Sequence, residues 1–108
     1  MSFNISRTNE FSKHLKALSK KYPSVKKDYG DLLQSLLLNP LQGVSLGKDC
    51  YKIRWKITSK SSGKSGGARV ITYVKIEAKR ITLLDVYDKA DKESITEKEL
   101  ETLIKKAE

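Results

Sequence analysis

The sequence predicts an α+β fold in which two N-terminal helices pack on a small, mostly antiparallel sheet and a short helix ends the chain. Three observations support this fold class. Apolar residues recur with helical spacing over residues 8–37. The period changes to two over residues 51–87, which is typical of strands that pack one face on a core. A capping-box pattern then begins a final helix at Thr96.

The first elements are a short strand and a helical hairpin. Residues 2–6 alternate and predict the strand, with Phe3 and Ile5 on one side. Pro23 separates two amphipathic helices, and Asn39-Pro40 ends the second. Two consecutive amphipathic helices predict a hairpin that covers a sheet. Their apolar stripes consist of Phe11, Leu15, Leu18 and Tyr22, and of Val25, Tyr29, Leu32, Leu33, Leu36 and Leu37.

The middle of the chain predicts a three-stranded meander after a turn-rich stretch at residues 43–49. Its first strand covers residues 51–58. The second covers residues 68–77 and the third residues 80–87, with a tight turn at residues 78–79. The stretch between the first two strands reads as a flexible basic loop. In the first strand Tyr51, Ile53, Trp55 and Ile57 alternate with Lys52, Arg54 and Lys56.

The last element is a capped helix. Thr96 and Glu99 form the capping box, and Ile95 and Leu100 stand at the spacing of a hydrophobic staple. At 108 residues the chain predicts one domain, residues 1–108.

The charge of the chain is strongly positive and uneven. Lys plus Arg number 22 against 13 Asp plus Glu, and residues 51–80 alone hold 9 basic and 1 acidic side chains. Such a field attracts polyanions, either nucleic acid or an anionic membrane surface, although a solvated basic surface is the simpler alternative. No apolar run is long enough to span a membrane, no signal peptide is present, and the single cysteine forms no internal disulfide. The expected location is the cytoplasm.

Several isolated signals favour structural roles. Gly63-Lys64-Ser65 resembles part of a phosphate-binding loop, but the required earlier glycine is Thr58 and the loop joins two strands. His14, the only histidine, reads as a residue at the boundary of the packed helix face. Cys50 is expected to be a small buried residue, and Trp55 a core residue.

The cationic side of the predicted meander is the main functional signal. Lys52, Arg54 and Lys56 share one side of a strand, and Arg69 begins the next strand. Like charges on neighbouring strands destabilise a sheet, and residues 51–76 contain no acidic side chain. One explanation for these unbalanced cations is structural: the acidic C-terminal helix supplies the counter-charges. A phosphate backbone held against the sheet is the functional one. We expect Arg69 to lie on the non-core side, where truncation costs little stability.

Several runs of residues resemble the RelE/ParE toxin superfamily. They are residues 49–54, the pair Arg69-Val70, and residues 83–89. Residues 63–71 and 95–99 are similar to the HigB-type branch of that superfamily. The resemblance spans the chain in element order and is strongest over residues 49–100. It implies a strand, two helices, an antiparallel meander that curves around a basic cleft, and a short C-terminal helix.

The resemblance also implies an activity. Relatives are toxins of type II toxin–antitoxin systems that cleave messenger RNA in the ribosomal A site without a metal or other cofactor. The 2′-hydroxyl of the messenger attacks the adjacent phosphodiester and leaves a 2′,3′-cyclic phosphate. The implied partners are the ribosome, its messenger and a cognate antitoxin, encoded adjacently and of helix-turn-helix or acidic type. No membrane is involved.

The matching motifs imply catalytic roles for five residues. Arg69 matches the arginine that clamps the phosphate, and Lys52 is a candidate base. Arg54 stands where the closest RelE pattern has lysine. Tyr87 and Lys89 match functional positions at and after the end of the last strand. Three more cations are predicted to bind phosphate: Lys56, Lys60 and Lys64.

Two other functions stay open. A ParE-like poison of DNA gyrase shares the fold, although such proteins generally lack the basic constellation. A non-enzymatic RNA-binding module would need no acid–base pair. Cleavage of messenger on ribosomes separates the three.

Overall fold

The structure, a computed structural model, describes residues 3–60 and 67–108. Helices and strands follow one another in the predicted order, with one additional strand. No helix in these two ranges is long and apolar enough to cross a membrane. The elements are β1 (Asn4–Arg7), α1 (Asn9–Lys21), α2 (Val25–Leu38), β2 (Val44–Gly47), β3 (Cys50–Trp55), β4 (Ala68–Lys75), β5 (Arg80–Asp88) and α3 (Glu97–Ala107).

The strands form one mixed sheet in the order β1-β5-β4-β3-β2. The predicted meander of β3, β4 and β5 is confirmed as antiparallel, and β1 joins the edge of β5 in parallel, with Asn4 opposite Arg80. Strand β2 was not predicted, because its four residues are too few to show a period. The sequence signal that could have predicted β2 was the turn at Lys48 and Asp49. In the structure both residues have positive φ, as a two-residue hairpin turn requires.

Helices cover both faces of the sheet. One cluster of buried side chains joins α1 and α2 to one face, and a second joins α3 to the other. The helical hairpin that covers the sheet is therefore confirmed. Because β4 lies between both layers, all its residues from Ala68 to Val74 are buried. The residues of the α3-side cluster are Cys50, Ile71, Tyr73, Leu84, Tyr87, Leu100 and Leu103.

The starts of α1 and α3 are fixed by threonine caps. The Thr8 hydroxyl accepts a hydrogen bond from the Phe11 amide at 3.0 Å and donates one to the Leu84 carbonyl at 3.0 Å, so the cap also ties α1 to β5. The predicted capping box is confirmed: Glu99 N–H bonds to Thr96 Oγ1 at 3.1 Å, and Thr96 N–H bonds to Glu99 Oε1 at 2.8 Å.

Asp28, a buried carboxylate, fastens the start of α2 to the end of β3. It accepts hydrogen bonds from the Thr58 amide at 2.8 Å, the Thr58 hydroxyl at 2.6 Å and the Ser24 hydroxyl at 2.7 Å. Burial raises the pKa of Asp28, but these hydrogen bonds outweigh it and lower the pKa below its ordinary value. The Trp55 indole N–H donates to the Asp28 carbonyl at 3.1 Å, which confirms Trp55 as a core residue.

Asp88 at the end of β5 is a second buried carboxylate. It accepts hydrogen bonds from Lys60 Nζ at 2.7 Å, the Ala90 amide at 2.9 Å and the Tyr22 hydroxyl at 2.9 Å, and Lys21 Nζ lies at 3.5 Å. Burial raises the pKa of Asp88, but the hydrogen bonds lower it to about 2. The carboxylate thus links the end of α1 and the segment after β3 to the end of β5.

We predict that Asp88→Asn lowers the free energy of unfolding at pH 7 by about 3 kcal/mol, because it leaves the Lys60 ammonium buried without its counter-charge. Urea denaturation measures this loss. Since the folded pKa of about 2 lies below the ordinary 3.8, the stabilisation is complete above pH 3.8 and disappears as the pH falls through 2. The difference in the free energy of unfolding between parent and variant should therefore decrease as the pH falls from 3.8 to 2.

The matched control is Asp91→Asn, which removes a nearby exposed carboxylate. It should change the free energy of unfolding by less than about 0.5 kcal/mol. Equal losses in the two variants would contradict a special role for Asp88.

Candidate functional site

One row of side chains crosses the sheet on the face that α3 covers in part. Arg54 on β3 lies opposite Arg69 on β4, and Arg69 lies opposite Tyr87 on β5. The adjacent residues on β3, Ile53 and Trp55, pack against the helical hairpin on the other face. Because successive residues of a strand point to opposite faces, the row points away from the hairpin. We call it the Arg54–Arg69–Tyr87 row.

Two more cations lie on either side of Arg54 along β3 and just beyond its end. Lys52 lies opposite Ile71, one row along, and is partly exposed. Lys56 is exposed just beyond the end of β3. The prediction that Lys52, Arg54 and Lys56 share the side away from the buried Ile53, Trp55 and Ile57 agrees with the alternation in burial.

The cations of this face have no acidic partners in the described part of the chain. No ion pair there involves Lys52, Arg54, Lys56 or Arg69. The acidic residues around α3 pair with other lysines: Glu99 lies 2.7 Å from Lys92, and Glu101 lies 3.1 Å from Lys48. Helix α3 therefore does not supply the counter-charges in these two ranges.

Arg69 is far more buried than expected, with 6% of its surface exposed. Its Nη1 donates to the Ala68 carbonyl at 3.1 Å. The expectation that Arg69 lies on a non-core side is wrong, because β4 is central and layers cover both of its faces. The small stability cost of its truncation stays a prediction. Burying a guanidinium without an anion is costly. An anion bound against Arg69 would offset that cost.

Tyr87 contributes a buried hydroxyl beside this arginine. Its Oη has no hydrogen-bond partner among residues 3–60 and 67–108, and only 9% of the residue is exposed. Burial raises the pKa of Tyr87, although the Arg69 charge acts in the opposite direction. At neutral pH the phenol therefore keeps its proton and can donate it. The Lys92 ammonium lies 5.3 Å from the centroid of the ring.

This arrangement suits a phosphate group. A guanidinium fork binds two oxygens at once, and a neutral phenol beside it donates to a third. The same donors stabilise charge that develops on phosphorus during displacement. No three His, Cys, Asp or Glu side chains meet as a ligand set for a metal within the described ranges.

Two of the other predicted site residues have acidic partners, and a third cannot be placed. Lys60 does not join the cationic face, because its ammonium is directed to Asp88 and its side chain is only 12% exposed. Lys89 follows β5 directly, and its ammonium lies 3.3 Å from the exposed Glu93 carboxylate. Lys64 lies outside the described residues.

Sequence reasoning missed the contact between His14 and Asp85. His14 Nδ1 lies 2.5 Å from Asp85 Oδ1, which also accepts the Val86 amide at 2.8 Å. The partly exposed His14 is thus a boundary residue, as predicted. Both side chains line a cavity of about 390 Å³ together with Tyr87 and Lys92. The missed signal was Asp85 itself, an acid among the apolar residues of the predicted third strand of the meander.

Comparison of this chain with known proteins finds similar structures but no matching sequence family. No protein-family model and no curated protein sequence matches the chain. Among solved structures, a double arginine-to-alanine variant of the E. coli toxin RelE in the free state is 22% identical, with a TM-score of 0.58 over 86% of this chain and 90% of that one.

Two further structures give the same result. The E. coli RelBE toxin–antitoxin complex is 22% identical, with a TM-score of 0.58 over 78% of this chain and 93% of the matched one. The isolated E. coli RelE toxin is 19% identical, with a TM-score of 0.50 over 95% and 97%. The chain therefore has a RelE-like α+β fold, as predicted, with some differences in the arrangement of helices and strands. Its assignment to the HigB-type branch stays a prediction.

We predict that Tyr87→Phe leaves the free energy of unfolding unchanged or raises it by up to about 1 kcal/mol, because a buried hydroxyl without a partner is destabilising. Urea denaturation measures the change. The control is Tyr22→Phe, which removes a hydroxyl that donates to Asp88 at 2.9 Å and should cost about 1 to 2 kcal/mol. A comparable loss in Tyr87→Phe would mean that its hydroxyl is bonded in the folded protein.

Proposed function

We propose that this chain is the toxin of a type II toxin–antitoxin pair and acts in the cytoplasm as an endoribonuclease on ribosome-bound messenger RNA, without a metal ion. The observation that carries the proposal is the Arg54–Arg69–Tyr87 row, a cationic row without acidic partners in the described ranges, on a RelE-like fold. Lys52 and Lys56 beside the row would extend the contact along the phosphate backbone.

The proposed reaction is an internal displacement. The 2′-oxygen of one nucleotide forms a bond to the adjacent phosphorus while the bond to the 5′-oxygen breaks, which gives a 2′,3′-cyclic phosphate. Arg54 and Arg69 stabilise the negative charge on the phosphorane. Tyr87 donates its proton to the leaving 5′-oxygen, and Lys52 is the proposed acceptor of the 2′-hydroxyl proton.

The proposed partners are the ribosome with its messenger and an antitoxin. One matched structure is a complex of RelE with its antitoxin. By analogy, we expect the antitoxin of this chain to be encoded next to it and to be of helix-turn-helix or acidic type. A net charge of +9 favours an acidic partner, because opposite charges speed association.

We predict that the purified protein cleaves messenger on programmed ribosomes and that Arg54→Ala slows cleavage about 100-fold, because it removes a charge from the transition state. Arg54 is exposed, so its truncation should leave the melting temperature unchanged. Mapping of the RNA ends measures the rate and reveals the cyclic phosphate. Tyr87→Phe should also slow cleavage while retaining stability.

The control for the cleavage assay is Lys13→Ala, which removes an exposed cation of α1 without affecting cleavage. Binding of RNA by the parent without any cleavage would favour the non-enzymatic module. Inhibition of DNA gyrase without RNA cleavage would favour the ParE-like alternative.

We also predict that RNA affinity falls steeply with salt. Each phosphate that a cation neutralises contributes a slope of about −0.7 to the plot of log affinity against log salt concentration for single strands. Lys52, Arg54, Lys56 and Arg69 together should give a slope of about −3. Lys56→Ala should make the slope shallower by about 0.7, and Lys13→Ala should leave it unchanged. An affinity of the parent that does not vary with salt would contradict phosphate binding at this face.

A further inference from the structure

The ammonium of Lys92 lies over the face of the Tyr87 ring, 5.3 Å from the ring centroid. The proposed reaction assigns no role to this lysine. A cation in such a position is attracted to the electron-rich face of the ring, and the attraction opposes movement of the ring. The Lys92 side chain is 31% exposed whereas Tyr87 is buried, so the contact covers the ring from its solvent side.

Both ends of Lys92 are held in place. Its amide donates to the Asp88 carbonyl at 3.2 Å, in the turn that follows β5. Its ammonium lies 2.7 Å from Glu99 Oε2, and Glu99 Oε1 accepts the Thr96 amide at 2.8 Å in the capping box. Because both oxygens of Glu99 are occupied, the carboxylate that holds Lys92 is itself fixed to the first turn of α3.

Open space adjoins the Tyr87 ring on the side of Lys92. Two cavities of about 390 Å³ are both lined by Lys92, and Tyr87 lines one of them while Glu99 lines the other. Close packing normally fixes a buried ring, but a cavity beside it leaves room for the ring to shift. Lys92 therefore confines the ring where packing does not.

The pair of Lys92 and Glu99 also affects the charge around the phenol. Burial has the largest effect on the pKa of Tyr87 and raises it, and the Asp85 and Glu99 carboxylates raise it as well. The hydrogen bond from Lys92 is the main cause that keeps the pKa of Glu99 below its ordinary value, so this carboxylate is charged at neutral pH. Lys92 thus neutralises a negative charge that would otherwise make Tyr87 a weaker acid.

We propose that Lys92 is a positioning residue for Tyr87: anchored by Glu99, it holds the ring with its hydroxyl beside Arg69 and offsets the Glu99 charge. The inference rests on the proposed function, in which Tyr87 gives its proton to the leaving 5′-oxygen. As the O–H bond of Tyr87 breaks, negative charge develops on the phenol, and a cation over the ring favours that charge. In this role Lys92 acts through Tyr87 and does not bind phosphate itself.

Two other roles for Lys92 fit these contacts less well. A phosphate ligand needs a free ammonium, but that of Lys92 already lies 2.7 Å from a carboxylate. A purely stabilising ion pair is also a weak explanation, because the side chains of Lys92 and Glu99 are 31% and 45% exposed and such pairs add little stability.

The first experiment measures the Tyr87 ring in the absence of RNA. In protein with isotope-labelled tyrosine, NMR measures how fast the ring flips, and Tyr87→Phe assigns its signal. Lys92→Met removes the charge but keeps the length of the side chain, so flipping should become about tenfold faster. Lys92→Arg keeps a cation that pairs with Glu99 and stacks on the ring, so it should restore the parental rate.

The second experiment separates positioning from phosphate binding. On programmed ribosomes Lys92→Met should lower kcat about tenfold and leave KM unchanged, because it weakens the acid and not the binding of RNA. Lys92→Arg should again restore the parental value. The slope of log RNA affinity against log salt concentration should be the same for Lys92→Met and the parent, unlike the slope for Lys56→Ala.

Two further variants serve as controls. Lys98→Met makes the same change at an exposed lysine of α3 and should alter neither ring flipping nor kcat. Glu99→Gln releases Lys92 but also removes the negative charge, so the ring should flip faster while kcat falls less than in Lys92→Met. The melting temperatures of all these variants should stay close to that of the parent, since the ion pair is exposed.

Any of five results would overturn the proposal. They are ring flipping in Lys92→Met at the parental rate, failure of Lys92→Arg to restore it, a shallower salt slope in Lys92→Met, the same effects in Lys98→Met, or a large drop in the melting temperature of Lys92→Met. The NMR readout needs no RNA cleavage. A parent that cleaves no RNA, with the ring results as expected, would refute the proposed nuclease and still support Lys92 as the residue that holds Tyr87.

Discussion

The position of β4 between two covered faces is the constraint on which the rest of the structure depends. Neighbouring strands satisfy its backbone on both edges, and helices cover its side chains on both faces, so its residues from Ala68 to Val74 are buried. A strand in that position favours apolar side chains, and most of its buried residues are apolar. Arg69 is the charged exception. Its guanidinium has no acidic partner in the described ranges, which is why we place the anion-binding site there.

The buried carboxylates of the described residues bind other groups and leave Arg69 without an acidic partner. The three buried carboxylates in the described ranges, Asp28, Asp85 and Asp88, all accept hydrogen bonds. Glu99 and Glu101 of α3 pair with Lys92 and Lys48. Each carboxylate therefore has a structural partner on another segment of the chain. Lys52, Arg54, Lys56 and Arg69 of one sheet face have no acidic partner in the described ranges, and a structural role alone would leave these neighbouring cations mutually repulsive.

The sequence predicted the element order and the cationic side of β3 because both depend on local periodicity. The alternation of Ile53 and Trp55 with Arg54 reports which way a side chain points, but not what covers it. The burial of Arg69 was therefore missed, since it depends on α3 packing on a face that the strand pattern left polar. The role of Lys60 was missed for a similar reason: its partner, Asp88, lies 28 residues away in sequence, and only the fold brings the two together.

The parallel pairing of β1 with β5 has a consequence for the order of events during synthesis. Residues 4–7 are made well before their partners, residues 80–83. The helical hairpin can form from local contacts before then, whereas the edge strand has to wait, because distant pairings close late. The sheet face that carries Arg69 and Tyr87 is thus complete only after β5 has been made.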